Sequence, residues 1–592
     1  MTIINGGAVS VTNSALQVDG PLGIDGNLAL QPGAQVVATN AFTSIGFNLG
    51  ATGQVVMTDG TAIFSRLIVG SNTLSVGTFT MNAGSLFVSS LFIGLGSNAV
   101  GSAWISDCAL TVTNSFLIGE RKTTGQLTLS NTTAHVRDIS VAGSLESQGT
   151  FTMAGSTVTF SSGFTAGGTK STGTVFVSDG QLTITNGNLS IGVNDGIGQM
   201  TITNGLASAP QLNVGFGNTQ GQGTLTAIDS SLVISNVAAI GSGSNSTGTL
   251  WLINSQLQFT GVTNGILVPV GSGVGQVILS KNSSVSVGSA WLGTGGTLSI
   301  QSGTVSIVSN FSVSSKGTVW MADGQLYVSD GVMSMGQVTI SNGFVSVPDA
   351  LIASASAAST GTLAVVGGSF SACSSLVIGD CSSNAIGQVL LGGGALIVTN
   401  AGQPAFIDLQ NGTLTVNSGS LITDKLVMTN SCGHFVKNGG SVVISTLQLD
   451  PALDADGDGI PNGYEQSHGL DPLDPVNATL DSDGDGQTDL QEYLAGTDPT
   501  NSASAFRITS VVRTGNDIFV TWMTGIGRTN ALQVAPAAGD SVDDTRAGGG
   551  YDTNGFADVF TVTNTVGATT NYLDLGAATN VLSRYYRVRL VP

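Results

Sequence analysis

One phrase recurs through most of this chain and leaves it few ways to fold. Residues 53–76 read GQVVMTDGTAIFSRLIVGSNTLSV, and residues 77–100 begin the phrase again as GTFTMNAGSLFVSSLFIGLGSNAV. The opening glycine, Gly53, returns at Gly77, Gly101, Gly125, Gly149 and Gly173, each 24 residues after the last. It continues through Gly198, Gly223, Gly248, Gly275, Gly296, Gly317, Gly336, Gly361, Gly387 and Gly412 at steps of 19 to 27. A unit this short cannot bury its own apolar face and must stack on copies of itself. A β-propeller is the main rival, but its blades need about 40 residues each.

Counted from the anchor glycine, places two and four are apolar: Val55 and Met57, Phe79 and Met81, Leu127 and Leu129, Phe151 and Met153, and so on to Leu414 and Val416. Apolar residues alternating with polar ones make a strand with one buried face. Place one is Gln, Thr or Ser (Gln54, Thr78, Ser102, Gln126, Thr150), a column expected to form a hydrogen-bonded ladder on the solvated face. A turn dipeptide follows, such as Asp179-Gly180 or Asn204-Gly205, then a second short strand and a third that ends in glycine. Three strands and three corners per period define an all-β, parallel (right-handed) β-helix solenoid over residues 1–449. Residues 1–52 have weak anchors, Gly20-Pro21 and Pro32-Gly33, and read as irregular first rungs acting as a cap. About 16 anchored rungs, at about 4.8 Å each, make a body roughly 75–80 Å long. The long step after Gly248 is read as an insertion at residues 266–270.

Composition narrows the function classes. The chain has 84 glycines in 592 residues, 41% hydrophobic and only 9% charged residues, and a net charge of −20. That balance, with no basic run, argues against nucleic acid as a partner. No apolar stretch approaches the roughly 20 residues of a membrane helix. The start, MTIINGGAVSV, has neither the charged beginning nor the apolar run of a signal peptide. Cys108, Cys373, Cys381 and Cys432 are too sparse for a disulfide framework, and a short Cys373–Cys381 loop bridge competes with plain burial.

The phrase G-T/Q-φ-T-φ-x-x-G, followed by L-x-φ-G, resembles the repeat shared by type V autotransporter passengers and PEP-CTERM-associated surface proteins of Gram-negative bacteria. The resemblance implies an extracellular or cell-surface β-helix connected with adhesion or with the extracellular matrix. It does not extend to a C-terminal membrane barrel or to a Pro-Glu-Pro sorting tail.

Many β-helices act on polysaccharides, and that chemistry needs facing carboxylates or a base beside a cation. Residues 1–449 hold 16 acids, 9 Lys or Arg and two His, scattered over the whole length. The acids that recur, Asp59, Asp179 and Asp323, sit in turn dipeptides, so no catalytic residues are assigned. Place three faces outward and is mostly Thr, but it carries Trp104, Phe176, Trp251 and Trp320 in the third, sixth, ninth and twelfth anchored rungs. Either these rings, about 14 Å apart, form a ligand-binding surface for a glycan or an extracellular protein, or long corners fold over them, or the spacing is chance in four instances.

At Asp450 the composition changes. Residues 450–501 contain 13 of the 36 acids and no Lys or Arg. Two 12-residue loops lie within them. The first places Asp454, Asp456, Asp458, the carbonyl of Ile460, Asn462 and Glu465 at places 1, 3, 5, 7, 9 and 12. The second repeats this with Asp481, Asp483, Asp485, the carbonyl of Gln487, Asp489 and Glu492. Hard oxygen donors at that spacing, with glycine at place 6, are a calcium-loop pattern. The trailing Gly469-Leu-Asp471-Pro472 and Gly496-Thr-Asp498-Pro499 resemble the bacterial thrombospondin type 3 repeat, which implies a calcium-set spacer; dockerin is the second choice.

Residues 502–592 alternate in short runs with Gly, Asn and Thr turns, which point to a small β-sandwich. Val520 and Trp522 early, with Tyr585, Arg587 and Arg589 late, resemble fibronectin type III topology. Trp522 reads as core, and Arg584, Arg587 and Arg589 as either a basic edge or simple strand alternation. The whole reads as a secreted or surface-displayed structural or adhesion protein. A carbohydrate-active β-helix, and a subunit that assembles end to end or as a homo-oligomer, are the alternatives.

Overall fold

The residues at places two and four are inside. In the computed structural model Phe79, Met81, Phe151, Met153, Leu414 and Val416 are all buried, and the same holds along the whole repeat. The structure describes residues 1–4, 6–261, 265–269, 271–353, 359–535, 556–563, 565–579 and 584–591. The chain divides into two units, Met1–Val427 with Asn438–Leu447, and Met428–Lys437 with Gln448–Pro592.

The first unit is a parallel β-solenoid of about 18 turns. A typical turn has a first strand Val100–Ser106, a second Cys108–Val112 and a third Phe116–Ile118. Each pairs in parallel with its counterpart one turn on: Gly101 with Gly125, Leu110 with Ala134, Ile118 with Val141. In some turns the second and third strands run together, as in Gly84–Ile93. Residues 1–52 stack in the same register, with Ala8–Val11 on Asn27–Leu30 and the latter on Thr52–Met57. Their anchors are Gly7 and Gly26, one place before Ala8 and Asn27, rather than the Gly-Pro pairs that stand out in the sequence. Nor is the stretch from Ile266 an insertion. Gly265–Val268 is the third strand of its turn, with Ile266 and Val268 buried and paired to Ala290 and Leu292. The added residues fall between Phe259 and Gly265, where residues 262–264, like Val270, lie outside the described residues.

The anchor has to be glycine because of what it packs on. Gly119 closes its third strand in the left-handed region, φ +75°, and donates its N–H to Ile93 O one turn below, 2.8 Å away. Gly125 lies over that bond, where a Cβ would be well inside contact distance of both atoms. The arrangement repeats at Gly101, over Gly94 N and Val69 O, and at Gly149, over Ala142 N and Ile118 O.

A polar ladder exists, but not in the place-one column. Those side chains do stack in register, yet among the described residues no hydrogen bond joins one to the next. The ladder is at the first corner. There Asp107, Asn131, Asp179, Asn204, Asp229 and Asn254 take up φ of 46° to 53°. Asn254 Nδ2 donates to Asp229 Oδ1 at 2.6 Å, and Asn131 and Asn204 donate to Asp107 and Asp179. Beneath it lies a buried hydroxyl chain: Ser230 N–H to Ser255 Oγ, then Ser255 N–H to Ser283 Oγ. Water satisfies a Gln on an open face, whereas a buried hydroxyl must find a protein partner.

Cys373 is a free thiol and so makes no loop bridge to Cys381; Cys108 is buried and also free. No helix among the described residues is long and apolar enough to cross a membrane.

In the second unit, two antiparallel sheets enclose Trp522. Strands Ile508–Thr514, Asp517–Met523 and Thr569–Asp574 form one, and Ala557–Val562, Asn530–Val534 and Tyr586–Leu590 the other. Val520, Trp522 and Leu532 form the fully buried centre. The Trp522 indole N–H is satisfied by Asn530 Oδ1 at 2.8 Å. The three arginines are engaged individually: Arg589 pairs with Asp558, Arg584 with Asp574, and Arg587 lies over the Phe556 ring. They do not make a free basic edge.

Candidate metal centre

Each acidic loop is held by the same local devices. Gly457 and Gly459 in the first, and Gly484 and Gly486 in the second, adopt φ of 80° to 98°, which turns the chain tightly around the carboxylates. A short helix follows each loop, α1 Asn462–His468 and α2 Asp489–Ala495, and each ends on a left-handed glycine, Gly469 or Gly496. The residue before each loop accepts the N–H of place nine: Leu453 O from Asn462, and Leu480 O from Asp489.

Within the loops the acids divide their work. Asp454 and Asp481, at place one, accept loop N–H groups on both oxygens: Asp454 from Gly457 and Gly459, Asp481 from Gly484, Asp485 and Gly486. Asp456, Asp458, Asp483 and Asp485 each accept one backbone N–H on Oδ1. The Oδ2 of each is buried with no partner. Glu465 and Glu492, at place twelve, are fully buried; Glu465 Oε2 and both oxygens of Glu492 are also without a partner. The three place-one, -three and -five acids of each loop bring oxygens within 4.8 Å of one another.

A buried polar atom without a partner costs on the order of 1–3 kcal/mol, and more when charged. So many carboxylate oxygens converging without a donor form a cluster that could hold a cation. The donor set is hard and oxygen-only, as calcium requires. The carboxylates, with the place-seven carbonyls of Ile460 and Gln487, would hold it. The Gln487 side chain is occupied elsewhere, bonding Phe506 N and O. The place-nine side chains are also engaged: Asn462 Oδ1 takes the Ala455 N–H, and Asp489 takes the Ser482 N–H and hydroxyl. They lock place two of their own loops. Residues 428–437, which the sequence assigns to the solenoid, belong to this unit: Phe435 is buried, and its N–H meets Ala455 O.

Burial pushes the Asp456 carboxyl up to about 8, with Asp458, Glu465 and Asp454 adding to it. Burial likewise raises Glu465 and Glu492 to about 7. Asp458 and Asp483 are raised for the same reason. A carboxyl whose folded pKa exceeds its unfolded value keeps its proton in the fold. The cation-free segment therefore loses stability as pH rises from about 4 toward 8. A cation must displace those protons, so its affinity moves the other way. Calorimetric titration with calcium is expected to show affinity falling at least roughly tenfold from about pH 8 to about pH 5.

The four predicted aromatic residues sit where the repeat puts them. Pairing runs unbroken from Trp104 through Thr128 and Thr152 to Phe176, and through Thr201 and Thr226 to Trp251. It continues through Ile278 and Ser299 to Trp320. The rings are 39–46% exposed, so no corner folds over them. Exposed rings that the repeat does not mark also occur on the second and third faces, at Phe87 and Trp291. They stand outside the place-three column, so a search confined to that column passes them by.

Comparison with known proteins places the acidic segment. Residues 454–475 and 481–502 match the bacterial TSP3 repeat, a calcium-binding type of repeat. No curated protein and no solved structure matches the chain. Fold and segment together define a parallel β-solenoid followed by TSP3 repeats and small antiparallel sheets, an architecture consistent with a structural extracellular protein.

Proposed function

We propose that the chain is a secreted or surface-displayed structural and adhesion protein of a Gram-negative bacterium. Its solenoid presents a glycan-binding face, and its TSP3 segment is a spacer stiffened by calcium. The observation that carries this reading is the place-three column, where four exposed rings recur every third turn in one register, with Thr, Ser and a single Ile, Ile278, between them. Flat rings with little charge around them suit the apolar faces of sugars. Recurring corner acids of the solenoid are engaged by neighbouring side chains, Asp179 by Asn204 and Asp229 by Asn254, while Asp59 takes the N–H of its own turn glycine, which supports a non-catalytic role. The repeat's resemblance to autotransporter-associated and PEP-CTERM-associated proteins supports the same placement outside the cell.

The test is a glycan array and a cell-binding assay with Trp251→Ala/Trp320→Ala. Each lost ring removes about 1 kcal/mol of contact, so the pair should weaken binding at least roughly tenfold. Both side chains point outward, and the melting temperature should stay unchanged. Binding that survives the double substitution would overturn the role of the column.

A further inference from the structure

We infer that Asn477, which lies outside both loop motifs, is a ligand of the first calcium site, and that the two sites are chemically unequal because of it. This rests on the reading of the loops as calcium sites. Asn477 opens the 3-10 turn Asn477–Thr479 between the loops and is only 7% exposed. Its Nδ2 donates to Glu465 Oε1 at 3.1 Å and to Asp471 O at 2.9 Å. Both of those atoms are acceptors, which fixes the amide's orientation. Its Oδ1 is therefore the free end, and it is buried with no partner.

The two ends of an amide share one carbon, so an Oδ1 whose Nδ2 touches Glu465 lies beside the place-twelve carboxylate. Glu465 Oε2 and the Oδ2 atoms of Asp456 and Asp458 in the same loop are the other oxygens left unpartnered. A neutral amide carbonyl is a normal calcium donor. Because Asn477 already holds Glu465 Oε1, the first site has one Glu465 oxygen and one amide oxygen. In the second loop neither carboxylate oxygen of Glu492 has a hydrogen-bond partner by geometry, although the Thr497 side chain lies near enough to act on the carboxyl. The residue that matches Asn477, as Asp481 matches Asp454, is Ser504, and its hydroxyl is engaged by the Asp498 N–H. The second site therefore has two carboxylate oxygens where the first has a carboxylate and an amide.

Calcium chloride titration of the full chain by calorimetry separates the outcomes, with calcium-dependent protease protection of residues 450–501 as a second readout. Wild type should bind two ions. Asn477→Ala should weaken one of them by about 10- to 100-fold and leave the other unchanged. Asn477→Asp keeps an oxygen and loses the N–H donor, so a true ligand position should retain both ions at wild-type affinity or tighter. Unchanged binding of both ions by Asn477→Ala would overturn the inference. So would a loss with Asn477→Asp as large as with Asn477→Ala, because that would make Asn477 a positioning residue only. Asn477→Asp decides the question even if the alanine variant fails to fold. A wild-type chain that takes up no calcium would overturn the calcium reading itself, and this inference with it.

Discussion

Removing calcium with EGTA should unfold residues 450–501 and leave the solenoid intact. The segment has 13 acids and no Lys or Arg of its own, and its buried carboxylate oxygens have no protein donors to replace a cation. Each ion at a hundredfold excess over its Kd contributes about 2.7 kcal/mol, so two contribute about 5 kcal/mol, comparable to the whole stability of a small domain. Limited proteolysis read by mass spectrometry should show cleavage within 450–501 in chelator and protection on adding calcium back. The solenoid has no such cluster among its described residues, and its β signal in circular dichroism should not move. Glu465→Gln/Glu492→Gln should reproduce the chelator result in calcium, since Gln keeps the shape and removes the charge. Equal protection of the segment with and without chelator would refute the calcium reading.

The second large effect is expected inside the solenoid. Gly125→Val should lower its stability by about 3 kcal/mol or more, although Val is a better strand former than Gly. A Cβ at this position lands on the hydrogen bond from Gly119 N to Ile93 O, so three consecutive turns would have to move apart. Overpacking costs about 1–3 kcal/mol, and a weakened buried hydrogen bond adds about 1 kcal/mol. Because each turn contacts only its neighbours, the damage should be local. Hydrogen exchange should rise in the turns around residues 93–149 while distant turns keep their protection. Thr128→Val, on the outward face of the same strand, is the control and should be close to neutral.

The solenoid was legible because its signal is local and repeated. Alternation at places two and four depends only on strand geometry, and it places Phe79, Met153 and Leu414 in the core without any knowledge of what they touch. The calcium loops were legible for a similar reason, since glycine and oxygen donors at set spacing lie within 12 residues. The place-one ladder was misplaced because sequence shows which polar residues align but not which of them water can reach. The weak first anchors Gly7 and Gly26 were hidden by unequal corner lengths, although their strands stack in the common register.

The sequence by itself determined the class of fold, the inward columns, the outward aromatic column and the spacing of the loop carboxylates, all of which follow from local periodicity. Tertiary structure alone decided why the anchors must be glycine, which corner carries the ladder, and that Asn462 and Asp489 lock their loops. It also brought Asn477 back against Glu465. Each of these depends on a contact between residues distant in the chain, and burial then decides which polar atoms must find a partner and which are left for a cation.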